Sequence, residues 1–482
     1  MPLRCMICKV KVNLWVHLFL WCACCLPPVV LTAQSPDVLK HWQNLQLRNM
    51  SDEIEQNATN WPRERYWQYR LLHAGTLALL HPSEKHYENF NLVRADFNRE
   101  EVDAALESFA KLEGALLELA DGSEWSGFWQ LLQSYKLARK AYEDNNASDL
   151  AQLMYGLHLV IFGVVPDKYQ WLMRITGTTG DVVTGTKMLK GALNANNVTV
   201  SVLAEYALLL TQVYLLEKTP DRSLSLSDDT FMDRYLAAQC YSKMHEGSMA
   251  LEEMQKARAF LSDENQFASF YYTLGELYLW KGDYARAIIA YHDFLKLRSQ
   301  GKYVKDVYFK IALCHWFREE SKEMDRYIAL AKEYGGTQTE ADKNADYYLK
   351  TDKWPARKLF EARFAFDGGY FTSALQKLKQ LDINNLSDKD QVEYWYRLGR
   401  LHQATEKYEQ AIGAFRKCID LQGDTQGLYF APNSWLQMGY IYRENNEEEK
   451  AIECFEQVLT YKDHPYAYSL QRKANIALKR GN

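Results

Sequence analysis

Two regimes of apolar patterning meet near residue 34. Before that point Arg4, Lys9 and Lys11 precede a nearly unbroken apolar run from Val12 to Leu31, followed by Thr32-Ala33-Gln34. Beyond it apolar residues recur at steps of three and four, the spacing that gathers them on one face of a helix. The periodicity predicts helices over Arg65 to Leu80, Glu100 to Ala120, Trp125 to Glu143 and Asp149 to Val164, and a strongly apolar, buried one over Val198 to Leu216. No run of alternating apolar and polar positions is long enough to predict a strand. From residue 231 the pattern becomes self-similar. Tyr271-x-x-Leu274-Gly275-x-x-Tyr278 is followed by Gly282-Asp283-Tyr284, Ala287 and Tyr291. Trp395-x-x-Leu398-Gly399-x-x-His402 leads to Tyr408, Ala411 and Phe415, and Trp435-x-x-Met438-Gly439-x-x-Tyr442 to Ala451 and Phe455.

This order of an aromatic residue, Leu-Gly, Tyr and then Ala-x3-Phe resembles the tetratricopeptide repeat, in which two helices pack closely at a small residue. Looser copies centre on Ala238, Ala312 and Ala362, so that Ala238, Gly275, Ala312, Ala362, Gly399 and Gly439 follow one another at steps of 37, 37, 50, 37 and 40 residues. A glycine inside a helix costs about 1 kcal/mol relative to alanine, so its recurrence at one offset calls for a packing reason. The long step holds an insertion around 332–356, with Gly335-Gly336 and Trp354-Pro355, and predicts a short extra helix between units. The resemblance covers roughly 231–482 and implies an all-α fold, a right-handed α-α superhelix of about twenty helices at two per repeat. Residues 34–230 then read as a divergent helical region, degenerate repeats or a cap, joined to the array by a Pro220 to Asp229 loop. Within it Gly156 to Leu189, with Val164-Val165-Pro166, Gly177, Gly180-Asp181 and Gly185, looks like a segment of the inclusion-body-clearance and tetratricopeptide domain thirty-nine family.

The basic, apolar, small-residue order of residues 1–33 predicts a secretory signal peptide cleaved after Ala33, hence an exported protein, periplasmic, secreted or envelope-associated. The alternative is an uncleaved signal anchor, since about 20 apolar residues span a bilayer, although Pro27 and Pro28 interrupt the helix it would need. Five of the nine cysteines lie in this leader, and Cys240, Cys314, Cys418 and Cys454 fall in helical apolar patterns that predict buried free thiols. The full chain of 482 residues carries 57 Lys and Arg against 62 Asp and Glu, a formal charge of −5 that offers no global basic field to collect phosphates. Nucleic acid is therefore not expected as a partner. Five Asn-x-Ser/Thr sites, at Asn49, Asn57, Asn146, Asn197 and Asn385, are glycan acceptors only in a eukaryotic host.

Chemical motifs add little. Gly180-Asp-Val-Val-Thr-Gly185-Thr186-Lys187 falls one residue short of a phosphate-binding loop and lies between helical patterns, so a helix-to-helix turn without nucleotide is expected. No metal-ligand spacing or nucleophile motif occurs beyond the leader. His315 and His402 take the place of the repeat tyrosine and predict roles at the core. With no catalytic residue, cofactor or metal to name, the array itself is the place to look. At roughly 100° per residue the positions −3, +1 and +4 from each small residue point away from the second helix of the pair. They include Tyr235, Tyr272, Phe309, Trp316, Arg363, Tyr396, Arg400, Tyr440 and Arg443, the aromatic and arginine types that anchor interfaces. Packing between neighbouring helices accounts equally well for any one of the rings; the arginines resist that account, since unpaired arginine is almost never fully buried. Lys and Asn at −3 and +1, which clamp chaperone carboxylates in some tetratricopeptide proteins, are missing.

The sequence thus predicts an exported scaffold that binds a protein or an extended, acidic peptide in the groove, without catalysis. Membrane contact is expected only through an uncleaved or lipidated leader. The competing class is a helical enzyme or small-molecule binder with a pocket in the N-terminal half, near Trp61, Trp67, Trp125, Trp129 and Trp171.

Overall fold

The computed structural model describes residues 36–81, 83–144, 148–165, 170–195, 197–216, 230–351, 354–423, 427–464 and 466–480. The leader and the Pro220 to Asp229 segment lie outside them. The described residues form 24 α-helices and no strand. They fall into two compact units, one running to Met244 and taking in Glu252–Phe270, the other made of His245–Leu251 and the chain from Tyr271.

In the first unit the helices Arg63–Leu80, Glu124–Glu143 and Asp149–Gly163 sit where the periodicity puts them. The segment expected from Glu100 starts instead at Ala104, because the Asp103 side chain caps it by accepting from the Ala105 N–H. The last expected helix ends as α-helix at Leu210 and closes with a π-helical turn over Thr211–Leu215. The Gly-rich stretch has a physical reason. A Cβ on Gly180 would run into the backbone of Phe162 and Gly163, and one on Gly185 would come within 2.7 Å of the Gly156 carbonyl. Helices Asp149–Gly163 and Val182–Ala192 therefore meet backbone to backbone, and Asp181 caps the second by accepting from the Val183 and Thr184 N–H groups. The helix-to-helix turn expected over Gly180 to Lys187 lies instead at Gly177 to Asp181, and Val182 to Lys187 is already helical.

Paired helices follow through the second unit: Tyr284–Leu297 completes Ala268–Lys281, Ser321–Glu333 follows Val304–Phe317, Phe371–Lys379 follows Arg357–Asp367, Tyr408–Gln422 follows Asp388–Ala404 and Glu448–Thr460 follows Phe430–Glu444. The glycines act as the repeat requires. A Cβ on Gly399 or Gly439 would lie 2.5 Å from the ring of Phe415 or Phe455, and one on Gly275 would collide with Tyr291, each aromatic sixteen residues further on. Ala238, Ala312 and Ala362 are equally buried. The insertion contains the extra helix, Glu340–Thr351. Its buried Asp342 accepts from the N–H groups of Tyr303 and Asp306, which fastens it to the preceding repeat. The cysteines Cys240, Cys314, Cys418 and Cys454 are free and buried, and burial pushes the Cys418 and Cys454 thiols up to about 12. Asn197 is also buried, its side chain capping Val198–Leu210, which leaves no room for a glycan there.

Candidate partner-binding face

Helical offset alone places nine side chains on the face turned away from each pair; their surroundings separate them. Three are core. Tyr235, in the first unit, is 1% exposed and stacks on Phe231 at 5.7 Å with its edge toward Phe267. Phe309 and Tyr396, in the second, are each 3% exposed, the former stacked on Tyr348 and the latter against Phe430. The expectation that these rings line a groove is corrected: the neighbouring helix supplies an aromatic against each one, Phe270 in the case of Tyr235. Trp316 is half-buried between Trp354 and Phe360, and Tyr440 half-buried against Phe455.

Tyr272 is engaged by charge. Its hydroxyl donates to Asp306 at 2.9 Å and accepts from Lys310 at 3.0 Å, while the Lys310 ammonium pairs with Glu276 at 2.7 Å and Asp306 at 2.8 Å. Burial alone would push the Lys310 ammonium down, but Asp306 and Glu276 hold it above the ordinary lysine range. For Glu276, burial outweighs Lys310 and pushes the carboxyl up. The positions −3 and +1 of this repeat thus serve to tie two A helices together through buried ion pairs.

The three arginines differ most. Arg443 is fully used, pairing with Glu448 and donating to the Ala477 carbonyl at 2.9 Å, so it is a structural residue and not a lining one. Arg363 has Asp367 as its nearest carboxylate, at 3.9 Å, and keeps 27% of its side chain exposed. Arg400 makes no ion pair among the described residues: its guanidinium lies 5.2 Å over the Phe366 ring and reaches the Tyr396 hydroxyl only at 3.4 Å. Its Nε is buried without an acceptor, and one turn along the same helix the Gln403 Oε1 is buried without a donor. A buried donor left unmade costs about 1–3 kcal/mol.

Sequence offsets missed the partners of this position. Asn433 donates to the Tyr396 hydroxyl at 2.7 Å and accepts from Gln437 at 3.1 Å, so a polar ladder runs from Arg400 through Tyr396 to the helix Phe430–Glu444. Asn433 lies at −6 from Gly439, one turn before the −3 position, and extending the offset series by a turn would have found it. Arg397, at −2, is buried and paired with Glu393 at 2.8 Å.

In the first unit the tryptophans named for a competing pocket do not converge. Trp67 is 2% exposed, Trp125, Trp129 and Trp171 face solvent, and cavities of about 310 and 430 Å³ are lined by none of the five. The larger has two carboxylates, Asp52 and Glu264, both exposed, beside His73, whose ring burial holds neutral. Lys187, in the near-match to a phosphate loop, is an exposed helical residue. His315 stacks on Tyr327 at 5.2 Å and meets Glu320 at 2.6 Å, the core-edge role expected of it.

The tetratricopeptide repeat family model matches residues 268–300, 392–425 and 432–464. These are the same three copies that keep glycine at the helix contact. No curated protein sequence matches the chain. Among solved structures the chain is similar to yeast Tom70 (TM-score 0.27, 11% identity, over 92% of this chain and 87% of that one). It is also similar to a human IFIT1 dimer with m7Gppp-AAAA (TM-score 0.31, 14% identity, over 91% and 93%) and to the APC/C hetero-tetramer Cut9-Hcn1 (0.26, 14%, over 91% and 88%).

Proposed function

Three stretches of this chain are tetratricopeptide repeats, and on that premise we propose that it is an exported scaffold that binds another protein or an extended peptide, with no catalytic step. Arg400 carries the reading: a guanidinium held in place by an aromatic ring and a hydroxyl, with no carboxylate of its own among the described residues. Arg363, one repeat earlier, is satisfied only at long range. Guanidinium pairs bidentately with carboxylate, so the partner is an acidic segment or a free chain end. Gln403 and Asn433 beside it supply the amide groups that an extended backbone needs.

Anisotropy titration with labelled peptides rich in Asp and Glu tests this. Arg363→Ala combined with Arg400→Ala should weaken binding at least tenfold, about 1.4 kcal/mol, with circular dichroism and melting temperature unchanged. Equal binding by the double variant would move the site off this face. Export rests on the charge and apolar order of residues 1–33, and N-terminal sequencing from the native host should find a start near Gln34. Intact 1–33 in a membrane fraction would show an anchor instead.

A further inference from the structure

All but Leu92 of the large apolar side chains that the described residues of the first unit leave in water stand on three helices around one cluster. Trp125 and Trp129, at the start of helix Glu124–Glu143, have ring centroids 5.5 Å apart and are 47% and 37% exposed. Phe128 touches both rings and packs against the cluster of Tyr135, Leu159, Phe162, Met173 and Met188. Met173 belongs to the short helix Gln170–Thr176, which turns that residue inward and leaves Trp171 44% and Ile175 74% exposed. Val182 lies against Gly163, next to Phe162, and its neighbour Val183 is 78% exposed. A monomeric soluble protein rarely leaves so many large apolar groups together in water without a use.

The charges beside this patch have a sign. Lys136, Arg139 and Lys140 line a cavity with Thr176 and Gly177, at the end of the Trp171 helix. Arg139 pairs with Glu143 at 2.7 Å and the Asp181 carboxylate caps a helix. On the three helices that carry these side chains and on their caps, Lys136, Arg139, Lys140, Arg174, Lys187 and Lys190 outnumber Glu124, Glu143, Asp144 and Asp181, in a chain whose formal charge is −5. Ile175 and Val183 are so exposed that they stand out of the surface and line no groove. A protein partner would need a matching pocket for each tip, whereas a bilayer boundary receives protruding tips of any arrangement, with tryptophan at headgroup level and basic residues at the phosphates.

We propose that this face of the first unit docks on the surface of an anionic phospholipid bilayer. It lies on the membrane and does not span it: no helix among the described residues is long and apolar enough to cross one. The proposal is independent of the peptide-binding reading and of the leader.

Quenching of tryptophan fluorescence by lipids brominated on their acyl chains acts at contact range, so with the leader's Trp15 and Trp21 replaced by Phe in every protein compared, the reference included, it reads the residues beyond the leader even where the leader attaches to a vesicle. Vesicles of phosphatidylcholine mixed with phosphatidylglycerol should quench the reference, more strongly than phosphatidylcholine alone and less as salt rises. Ile175→Glu combined with Val183→Glu keeps every tryptophan beyond the leader and should lose most of that quenching with unchanged circular dichroism. Lys136→Glu with Lys140→Glu should remove the preference for phosphatidylglycerol. Undiminished quenching in the first variant, or none in the reference, overturns the proposal. So does lipid-free self-association that Ile175→Glu with Val183→Glu abolishes, which would make a second copy of the chain the occupant.

Discussion

At Gly439 one missing methyl group decides how close two helices come. The Phe455 ring fills the space a Cβ would need, and Gly399 and Gly275 do the same for Phe415 and Tyr291. Gly439→Leu should therefore overpack the contact and cost about 1–3 kcal/mol in urea unfolding. Gly413 is the internal control: it lies mid-helix with nothing within 4 Å of a built Cβ, so Gly413→Ala should gain up to about 1 kcal/mol. The same sign at both positions would mean that the glycines do not mark the helix contact. This much was legible in the sequence, because a glycine that recurs at one offset inside a helix marks a place too tight for a side chain. The identity of the exposed side chains was not, since periodicity gives a direction but not what stands there. Tyr235, Phe309 and Tyr396 are covered by rings of the next helix, Phe270, Tyr348 and Phe430.

Helices with long, strongly periodic patterns were readable, and short or weakly patterned ones were not. Glu84–Phe97 buries only Phe90, Val93 and Phe97 along fourteen residues, and Gln170–Thr176 has seven residues, too few for a period to emerge. The extra helix Glu340–Thr351 was signalled by the long step between repeats, but what holds it was not. Asp342 accepts from Thr339 on its own turn and from Tyr303 and Asp306 on the preceding repeat. Asp342→Ala should leave two backbone donors from another element without an acceptor, at roughly 1–3 kcal/mol each. The insertion should then become cleavable by protease on both sides of 340–351 before the repeats unfold. Cleavage only together with global unfolding would show that Asp342 is not its fastening.

Across the whole molecule, repeat grammar set the fold class, while the proposed partner-binding face rests on elimination from contacts. Of the three arginines that the offsets singled out, Arg443 is spent inside the fold, Arg363 is weakly satisfied, and Arg400 alone makes no ion pair among the described residues. That distinction depends on tertiary partners such as Glu448 and Ala477, which spacing does not reveal. The central claim is that a polypeptide docks beside Arg400, and site-specific photo-crosslinking from position 403 tests it most directly. With benzoylphenylalanine in place of Gln403, irradiation in the native host should yield a covalent adduct whose mapped segment is extended and rich in Asp and Glu, and Arg400→Ala should abolish it. No adduct from 403 while the same probe at 125 captures a polypeptide, or an adduct that survives Arg400→Ala unchanged, would contradict the account.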